Sequence, residues 1–344
     1  MSDNLVLVTG GSGFLAGHCI AQLLDQGFEV RTTVRSLDRE PAVRANLKEA
    51  GSRADGTLSF VEADLTSDEG WVAAAEGCSF VLHVASPFPL EIPAHEDELI
   101  VPAREGALRV LRAARDAQVR RVVLTSSFAA VGYGHQHVDR LFTEDDWTNI
   151  DGPGVSAYVK SKTLAEQAAW RFIDEEGGEL ELAVINPVGI FGPVLGRDFA
   201  SSIEIVRRIV AGELPGYPNL CMQAVDVRDV AAAHLLAMTT PPAAGERFVV
   251  TADGVLSMKQ MGAILKEHLG DAGAKIPRRS IPNVGVRIAA LFDKPLRQIV
   301  PELGEVKEAS NAKARSVLGW APRSKEDAVV ATGESLVRLG LLER

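Results

Sequence analysis

Short apolar and β-branched runs alternate with longer amphipathic stretches through the first half of the chain. Runs without strict polar alternation occur at Leu5–Thr9, Glu29–Val34, Leu58–Glu62, Phe80–Ala85, Arg121–Ser126 and Leu182–Asn186. Such runs read as strands covered on both faces. Between them the pattern predicts helices over Gly13–Gln26, near Pro41–Ala50, and over Ser67–Glu76, Leu99–Ala117 and Ala157–Glu175. In Leu99–Ala117, residues Ala103, Ala107, Leu108, Val110, Leu111 and Ala114 trace one helical face. This rhythm of β and α implies right-handed crossovers and a parallel sheet.

After Asn186 the rhythm breaks. Gly189, Gly192, Pro193 and Gly196 open loops, and helices are expected at Ile203–Ala211, Val227–Met238, Met258–Leu269 and Lys325–Leu339 among short strands. The expected organisation is a sheet-bearing unit over 1–186 and a smaller mixed α/β lobe over 187–344. The chain returns to the first unit around 220–252. The lobe would lie over the carboxyl edge of the sheet, where open parallel sheets bind ligands.

Composition narrows the class. Of the 344 residues, 46% are hydrophobic and 24% charged, the balance of a soluble globular protein. The net charge of −10 argues against nucleic acid or an anionic membrane as partner, since both need excess positive charge. The uncharged stretch between Asp3 and Asp25 has the length of a membrane span, but its four glycines mark a strand, a turn and a helix, with no membrane insertion expected. Cys19, Cys78 and Cys221 are widely spaced and form no C-x-x-C pair. Neither a disulfide framework nor a zinc site is expected, and a cytoplasmic home is.

The turn after the first strand reads Thr9-Gly10-Gly11-Ser12-Gly13-Phe14-Leu15-Ala16-Gly17. Gly10 and Gly13 let the backbone approach a pyrophosphate, and the following helix offers unpaired N–H groups and its positive end. With a strand before it and a helix after it, this is the signature of a dinucleotide site in a Rossmann-type, doubly wound sheet, with Thr9, Phe14 and Leu15 beside the phosphates. The second strand ends Val34-Arg35-Ser36 where an NAD site would carry Asp or Glu. The Arg35 guanidinium can stack on adenine and pair with a 2′-phosphate, which favours NADP (NADPH) over NAD. Asp64-Leu65, after the third strand, is placed to meet the adenine.

Tyr158 in Ala157-Tyr158-Val159-Lys160-Ser161-Lys162 has a lysine one helical turn on, on the same face. The preceding strand ends Leu124-Thr125-Ser126-Ser127, so a hydroxyl and the Tyr–Lys pair converge. Carbonyl reduction needs hydride at carbon and a proton at oxygen. Tyr158 would supply the proton, Lys162 would draw the phenol pKa down and reach the nicotinamide ribose, and Ser127 would hold the carbonyl.

These residues resemble the extended short-chain dehydrogenase/reductase family, of the epimerase/dehydratase type. The matching pieces are Thr9-Gly10-x-x-Gly13-x-x-Ala16, Asp64-Leu65, His83-Val84-Ala85-Ser86-Pro87, Thr125-Ser126-Ser127, Tyr158-x-x-x-Lys162 and Asn186-Pro187 with Phe191-Gly192-Pro193. The likeness continues through Asp226-Val227-Arg228-Asp229-Val230 and Lys313-Ala314-Arg315 to Leu318-Gly319-Trp320. Arg35, Ser86-Pro87-Phe88 and Ser161-Lys162-Thr163-Leu164-Ala165-Glu166 are similar to the dihydroflavonol 4-reductase-like branch. The resemblance implies a Ser127–Tyr158–Lys162 triad, with Ser126 as the substitute serine. It also implies cofactor contacts at Val84, Ala85, Ser86, Pro187 and Val188, and a homodimer through the long helices at Leu99–Ala117 and Ala157–Glu175.

The departures shape the substrate expectation. Gly132 stands where flavonoid-reducing members carry Asn or Asp, and Phe128-Ala129 stands where sugar-nucleotide dehydratases carry an Asp-Glu pair. Val155-Ser156-Ala157-Tyr158-Val159 differs from the Asn-Trp-Tyr-Cys-Tyr signature of cinnamoyl-CoA reductases. Phe88, Leu90, Phe128, Tyr133 and Phe199 are candidate pocket residues, and an apolar wall suits an aromatic or aliphatic aldehyde or ketone. His83 reads as a packing or hydrogen-bonding residue, the His135/His137 pair has no third ligand, and no metal is expected. The leading expectation is an NADPH-dependent carbonyl reductase acting on a small-molecule substrate. A sugar-nucleotide epimerase or steroid-type dehydrogenase on the same scaffold, and a non-catalytic dinucleotide sensor, are the alternatives.

Overall fold

The computed structural model describes residues 4–52, 57–87, 95–136, 138–292 and 294–343. The strands of the first half are β1 (Leu5–Val8), β2 (Glu29–Val34), β3 (Leu58–Glu62), β4 (Phe80–His83), β5 (Arg121–Thr125) and β6 (Glu181–Pro187). Four more follow: β7 (Gly189–Phe191), β8 (Cys221–Asp226), β9 (Arg247–Val250) and β10 (Val255–Ser257). The helices of the first half are α1 (Phe14–Asp25), α2 (Glu40–Glu49), α3 (Trp71–Ala75), α4 (Asp97–Asp116) and α5 (Ala157–Glu176). The second half holds α6 (Ser201–Val210), α7 (Val227–Thr239), α8 (Met258–His268), α9 (Asn283–Ala289), α10 (Lys294–Ile299), α11 (Ala312–Leu318) and α12 (Lys325–Arg338).

Seven strands pair in the order β3-β2-β1-β4-β5-β6-β9, every pair parallel. The strand order reverses between β1 and β4, which opens a crevice at their carboxyl ends. The alternation within each strand decides which helix layer it meets. Val6 and Val8, Phe80 and Leu82, Val123, Ala183 and Ile185 join a core with α1, α2, α7 and α11. Their neighbours Leu7, Val81, Val122, Leu124, Leu182 and Val184 join the opposite core with α3, α4 and α5. This is the doubly wound Rossmann-type α/β fold expected from the pattern. A second, three-stranded mixed sheet (β10-β8-β7) and a separate core around α6, α8 and α12 form the smaller lobe.

Most expected boundaries lie within about two residues of the observed ones. The helix expected over Ser67–Glu76 is shorter, starting only at Trp71. Asp64 accepts from both the N–H and the hydroxyl of Thr66, and the Trp71 indole N–H is directed at the Asp64 and Ser67 carbonyls. Those bonds hold 64–70 as a loop. The positions of β7, β8, β9 and β10 and the helices α9, α10 and α11 are not singled out by the pattern. Among the described residues no helix is long and apolar enough to cross a membrane.

Candidate active site

At the crevice, Gly10 has φ +73°, and a Cβ there would lie 3.0 Å from the Ala85 Cβ. A Cβ on Gly11 would lie 2.3 Å from the Thr32 hydroxyl on β2, so the turn passes as close to the sheet as a backbone can. Gly13 begins α1 with no side-chain cap and no acidic residue in the first turn. The first N–H groups of that helix, from Phe14 and Leu15 onward, therefore face outward as donors, and a diphosphate fits them. Leu15 is buried, while Phe14 is half-buried with its ring edge-on to His18.

Thr9 is fully buried, and its hydroxyl oxygen accepts from the Val84 and Ala85 N–H groups at 3.1 and 2.9 Å. Its own proton then goes to Nδ1 of His83, 2.9 Å away. Thr9 thus ties the ends of β1 and β4 together rather than facing the crevice. His83 is buried, and burial, helped by the nearby Lys162 charge, pushes its pKa down to about 3. Among the described residues no group of three or more His, Cys, Asp or Glu is gathered as a metal would need.

Three arginines follow β2, and they differ in commitment. Arg39 pairs with Asp198, and Arg44 pairs with Glu40 and lies over the Phe60 ring. Arg35 is exposed, makes no hydrogen bond or ion pair among the described residues, and lies near enough to Asp64 to help hold that carboxyl below its usual range. The larger cause of that lowering is the pair of bonds from Thr66. Leu65 is half-buried beside Gly106 of α4.

Tyr158 and Lys162 stand in the first two turns of α5, which Ser156 caps by accepting from the Val159 N–H at 3.3 Å. The Tyr158 phenol is hydrogen-bonded to Ser127. Lys162 Nζ donates to the Ser86 hydroxyl at 3.0 Å, and burial outweighs the pull of Glu166 to bring the ammonium down to about 8. One expectation is corrected here. Burial raises the Tyr158 pKa, with only the Ser127 bond opposing it, so the phenol stays protonated at neutral pH. Lys162 Nζ is bonded to the Ser86 hydroxyl, and Glu166 is the charge that favours its ammonium.

Ser126 and Ser127 part company. Ser126 is buried and donates to Glu166 Oε2 at 2.5 Å. Ser127 is half-buried, caps the short 3₁₀ turn Phe128–Ala130 and meets Tyr158.

An open cavity of about 240 Å³ is lined by Ser127, Phe128, Tyr133, Tyr158, Pro187 and Val188, and on its far side by Cys221, Met222, Gln223, Glu302, Glu305 and Lys307. The far-side residues were not anticipated, because nothing in the two distant segments that carry them marks them as neighbours. Phe199 packs on the core of the smaller lobe and does not line this cavity, while Phe88, Leu90 and His137 lie outside the described residues. Also unanticipated is the set beneath the triad. The Glu166 carboxylate, fully buried, accepts from Ser126, from Asn186 Nδ2 at 2.7 Å and from the Trp170 indole at 3.4 Å. It pairs with Arg247 at 2.7 Å, and the arginine lies 3.8 Å over the Trp147 ring. The one available signal was Glu166 standing a helical turn after Lys162.

A doubly wound sheet with a glycine turn at its switch point and a Ser–Tyr–Lys grouping beside it defines a nucleotide-dependent oxidoreductase architecture. The model of the 3-beta hydroxysteroid dehydrogenase/isomerase family matches residues 7–253. A cinnamoyl-CoA reductase of Medicago truncatula is 35% identical over 269 residues, 77% of this chain and 80% of its own. A putative NADPH-dependent methylglyoxal reductase of Candida albicans is 32% identical over 296 residues, 80% of this chain and 86% of its own. Among solved structures, the yeast methylglyoxal/isovaleraldehyde reductase Gre2 complexed with NADPH superposes with a TM-score of 0.79 at 27% identity, covering 98% of this chain and 99% of that one. The chain belongs to the extended short-chain dehydrogenase/reductase family, in its dihydroflavonol reductase-like branch, and is an oxidoreductase.

Proposed function

We propose that the protein is an NADPH-dependent reductase of small aldehydes and ketones, with Ser127, Tyr158 and Lys162 as its catalytic groups. The observation that carries the reading is the Ser127–Tyr158 hydrogen bond at the wall of the open cavity, with Lys162 one turn further along the same helix. NADPH, when bound, supplies the hydride. Gly10, Gly13 and the first turn of α1 hold its diphosphate, Arg35 takes the 2′-phosphate, and Asp64-Leu65 border the adenine. Ala85 and Ser86 line the end of β4 next to Lys162.

Ser127 donates to the carbonyl oxygen and keeps it within reach of the phenol. Tyr158, protonated at neutral pH because burial raises its pKa, gives that oxygen its proton as the alcohol forms. Lys162 keeps an ammonium next to Ser86, where it would reach the nicotinamide ribose. Phe128, Tyr133, Val188 and Met222 supply apolar contact for the substrate chain. In this reading the protein works in the cytoplasm as a homodimer through α4 and α5.

The test is Tyr158→Phe. It should lower carbonyl-dependent NADPH oxidation about 10²- to 10⁴-fold, the usual share of a general acid, while NADPH binding measured by fluorescence persists. Unchanged turnover sinks the mechanism. NAD retained by the purified protein, with no carbonyl reduced, replaces it with the epimerase reading.

A further inference from the structure

The cavity's far wall carries charge that carbonyl reduction does not require. Glu302, Glu305 and Lys307 reach it from the segment after α10. Lys307 is committed internally. Its Nζ lies 2.6 Å from Glu302 Oε2 and 4.8 Å from the centre of the Tyr133 ring, between a carboxylate and a π face. Glu305 is exposed and has no ion-pair partner among the described residues. Two carboxylates against one ammonium leave −1 at the mouth, on a chain whose net charge is already −10.

The wall is tied down. The Gln223 side chain accepts from the Ala309 N–H at 2.7 Å and donates to the Ala309 carbonyl at 3.2 Å. Phe142 exchanges backbone bonds with Glu308 and Ser310, each 2.8 Å, and the Gly304 N–H donates to the Asn219 carbonyl at 2.8 Å. Movement of the whole segment out of the mouth would break these bonds, so the stretch that carries the carboxylates is held at the cavity wall.

We propose that this wall selects substrates by charge. Carbonyl compounds that are neutral, or that carry an ammonium at the end remote from the carbonyl, are accepted. Those with a carboxylate or phosphate there, acyl-CoA thioesters included, are disfavoured. The physical cause is like-charge repulsion between the unpaired Glu305 carboxylate and an anionic substrate at the open mouth, an effect that salt screens. The inference rests on the proposed carbonyl-reducing function of the same cavity, so its test has one arm that needs no turnover.

In that arm, Cys221 is the probe: it lines the cavity and is partly exposed, whereas Cys19 and Cys78 are buried. Alkylation of Cys221 by anionic iodoacetate and by neutral iodoacetamide is followed by mass spectrometry and compared with 2-mercaptoethanol. The iodoacetate-to-iodoacetamide rate ratio should be about three- to tenfold below that of the free thiol. Glu305→Gln should raise it, and Glu302→Gln with Glu305→Gln, which leaves Lys307 unopposed, should carry it above the free thiol. Glu334→Gln, on the exposed face of α12, makes the same change in net charge and should leave the ratio at the wild-type value. A wild-type ratio equal to that of the free thiol overturns the proposal, as does a Glu334→Gln effect equal to that of Glu305→Gln.

The second arm measures kcat/KM for 4-carboxybenzaldehyde and 4-(trimethylammonio)benzaldehyde, each divided by that for benzaldehyde in the same variant. Comparing variants cancels the intrinsic electrophilicity of each ring. Glu305→Gln should raise the carboxylate ratio and lower the ammonium ratio about three- to tenfold, with both effects shrinking at 0.5 M salt, where the Debye length is only about 4 Å. Turnover with flat ratios refutes the selection and leaves the reductase reading standing. No turnover of any aldehyde, together with the expected Cys221 ratios, refutes the reductase reading and supports the charged wall.

Discussion

Replacing Glu166 with Gln tests whether the buried ion pair beneath the triad controls the charge of Lys162. The carboxylate is fully buried, pairs with Arg247 at 2.7 Å and accepts three further hydrogen bonds. Arg247 keeps the Glu144 and Asp146 carbonyls, both at 3.0 Å, and the Trp147 face, but its contact with Glu166 is an ion pair without a well-aligned hydrogen bond. Glutamine preserves the shape and removes the charge, so Arg247 is left buried without its ion-pair partner, facing only the more distant Glu144 carboxylate. Removing one partner of such a pair costs about 3–5 kcal/mol. For a chain of 344 residues, with an unfolding entropy of about 2.1 cal/mol/K per residue, that lowers Tm by about 4–7 °C.

The functional consequence has a definite sign. Burial lowers the Lys162 ammonium to about 8, and Glu166 is the group that opposes the fall. Without its charge, Lys162 loses its proton at lower pH. The alkaline limb of kcat/KM for NADPH, which reports the free enzyme, should therefore move down by about 0.5–1 pH unit. Arg247→Met separates this from mere loosening. The double variant Glu166→Gln/Arg247→Met should be more stable than the sum of the two single losses by about 2 kcal/mol or more, as contacting residues in a network require. Additive losses, or an alkaline limb that stays in place in Glu166→Gln, refute the reasoning.

Three buried histidines should make the fold acid-sensitive. His18, His83 and His234 are held at about 4, 3 and 4 by burial, so each stays neutral in the fold while the unfolded imidazole protonates below about 6.5. Their neutral state costs nothing above that value, and stability falls with pH beneath it. Urea unfolding at pH 7.5 and 5.5 should differ by about 4 kcal/mol from these groups, and a flat profile contradicts the assignment. Arg35→Asp should raise the Kd of NADPH at least tenfold more than that of NADH, and equal losses would remove the 2′-phosphate role. Gly132→Asn would place a Cβ 2.3 Å from the Phe128 ring, which is buried against Val131, Phe142 and Val249. It should cost about 1–3 kcal/mol in thermal unfolding and raise KM for aromatic aldehydes, and an unchanged Tm would show that the ring is not confined.

What was legible in the chain follows from how local each signal is. The central strands β1, β4, β5 and β6 carry unbroken apolar runs because both faces are covered, and Leu7 and Val8 in adjacent positions already serve two cores. The glycine turn was readable because Gly10 and Gly11 are required by φ and by contact with Thr32, within one βαβ unit. β9 was harder: Arg247-Phe248-Val249-Val250 lies beyond the regular rhythm of the first half, and its leading charge is met by Glu166, Trp147 and the Glu144 and Asp146 carbonyls. The far wall of the cavity was illegible for a different reason. Val188, Met222 and Glu305 become neighbours only when β7 and β8 pair and Gln223 binds Ala309. The rise of the Tyr158 pKa also needed the structure, since spacing alone places an ammonium near the phenol and says nothing of where that ammonium is bonded.

The parity of β5 explains how three adjacent hydroxyls come to hold three different positions. Val122 and Leu124 face the layer of α4 and α5, whereas Val123 faces that of α7. Continuing the alternation, Thr125 should meet α7, and its hydroxyl lies 2.7 Å from Nε2 of His234 there. Ser126 should meet α5, and it donates to Glu166. Ser127 is still extended, with φ −163° and ψ 155°, but the next residues turn into a 3₁₀ helix, so its side chain escapes both layers and stands at the sheet's carboxyl edge beside Tyr158. A period of two followed by a turn is therefore enough to separate a buried serine from one open to the cavity. The same geometry makes the serine pair non-interchangeable. Inserting one residue within β5 would exchange their faces, uncouple Glu166 and bury the hydroxyl that the proposed chemistry needs at the edge.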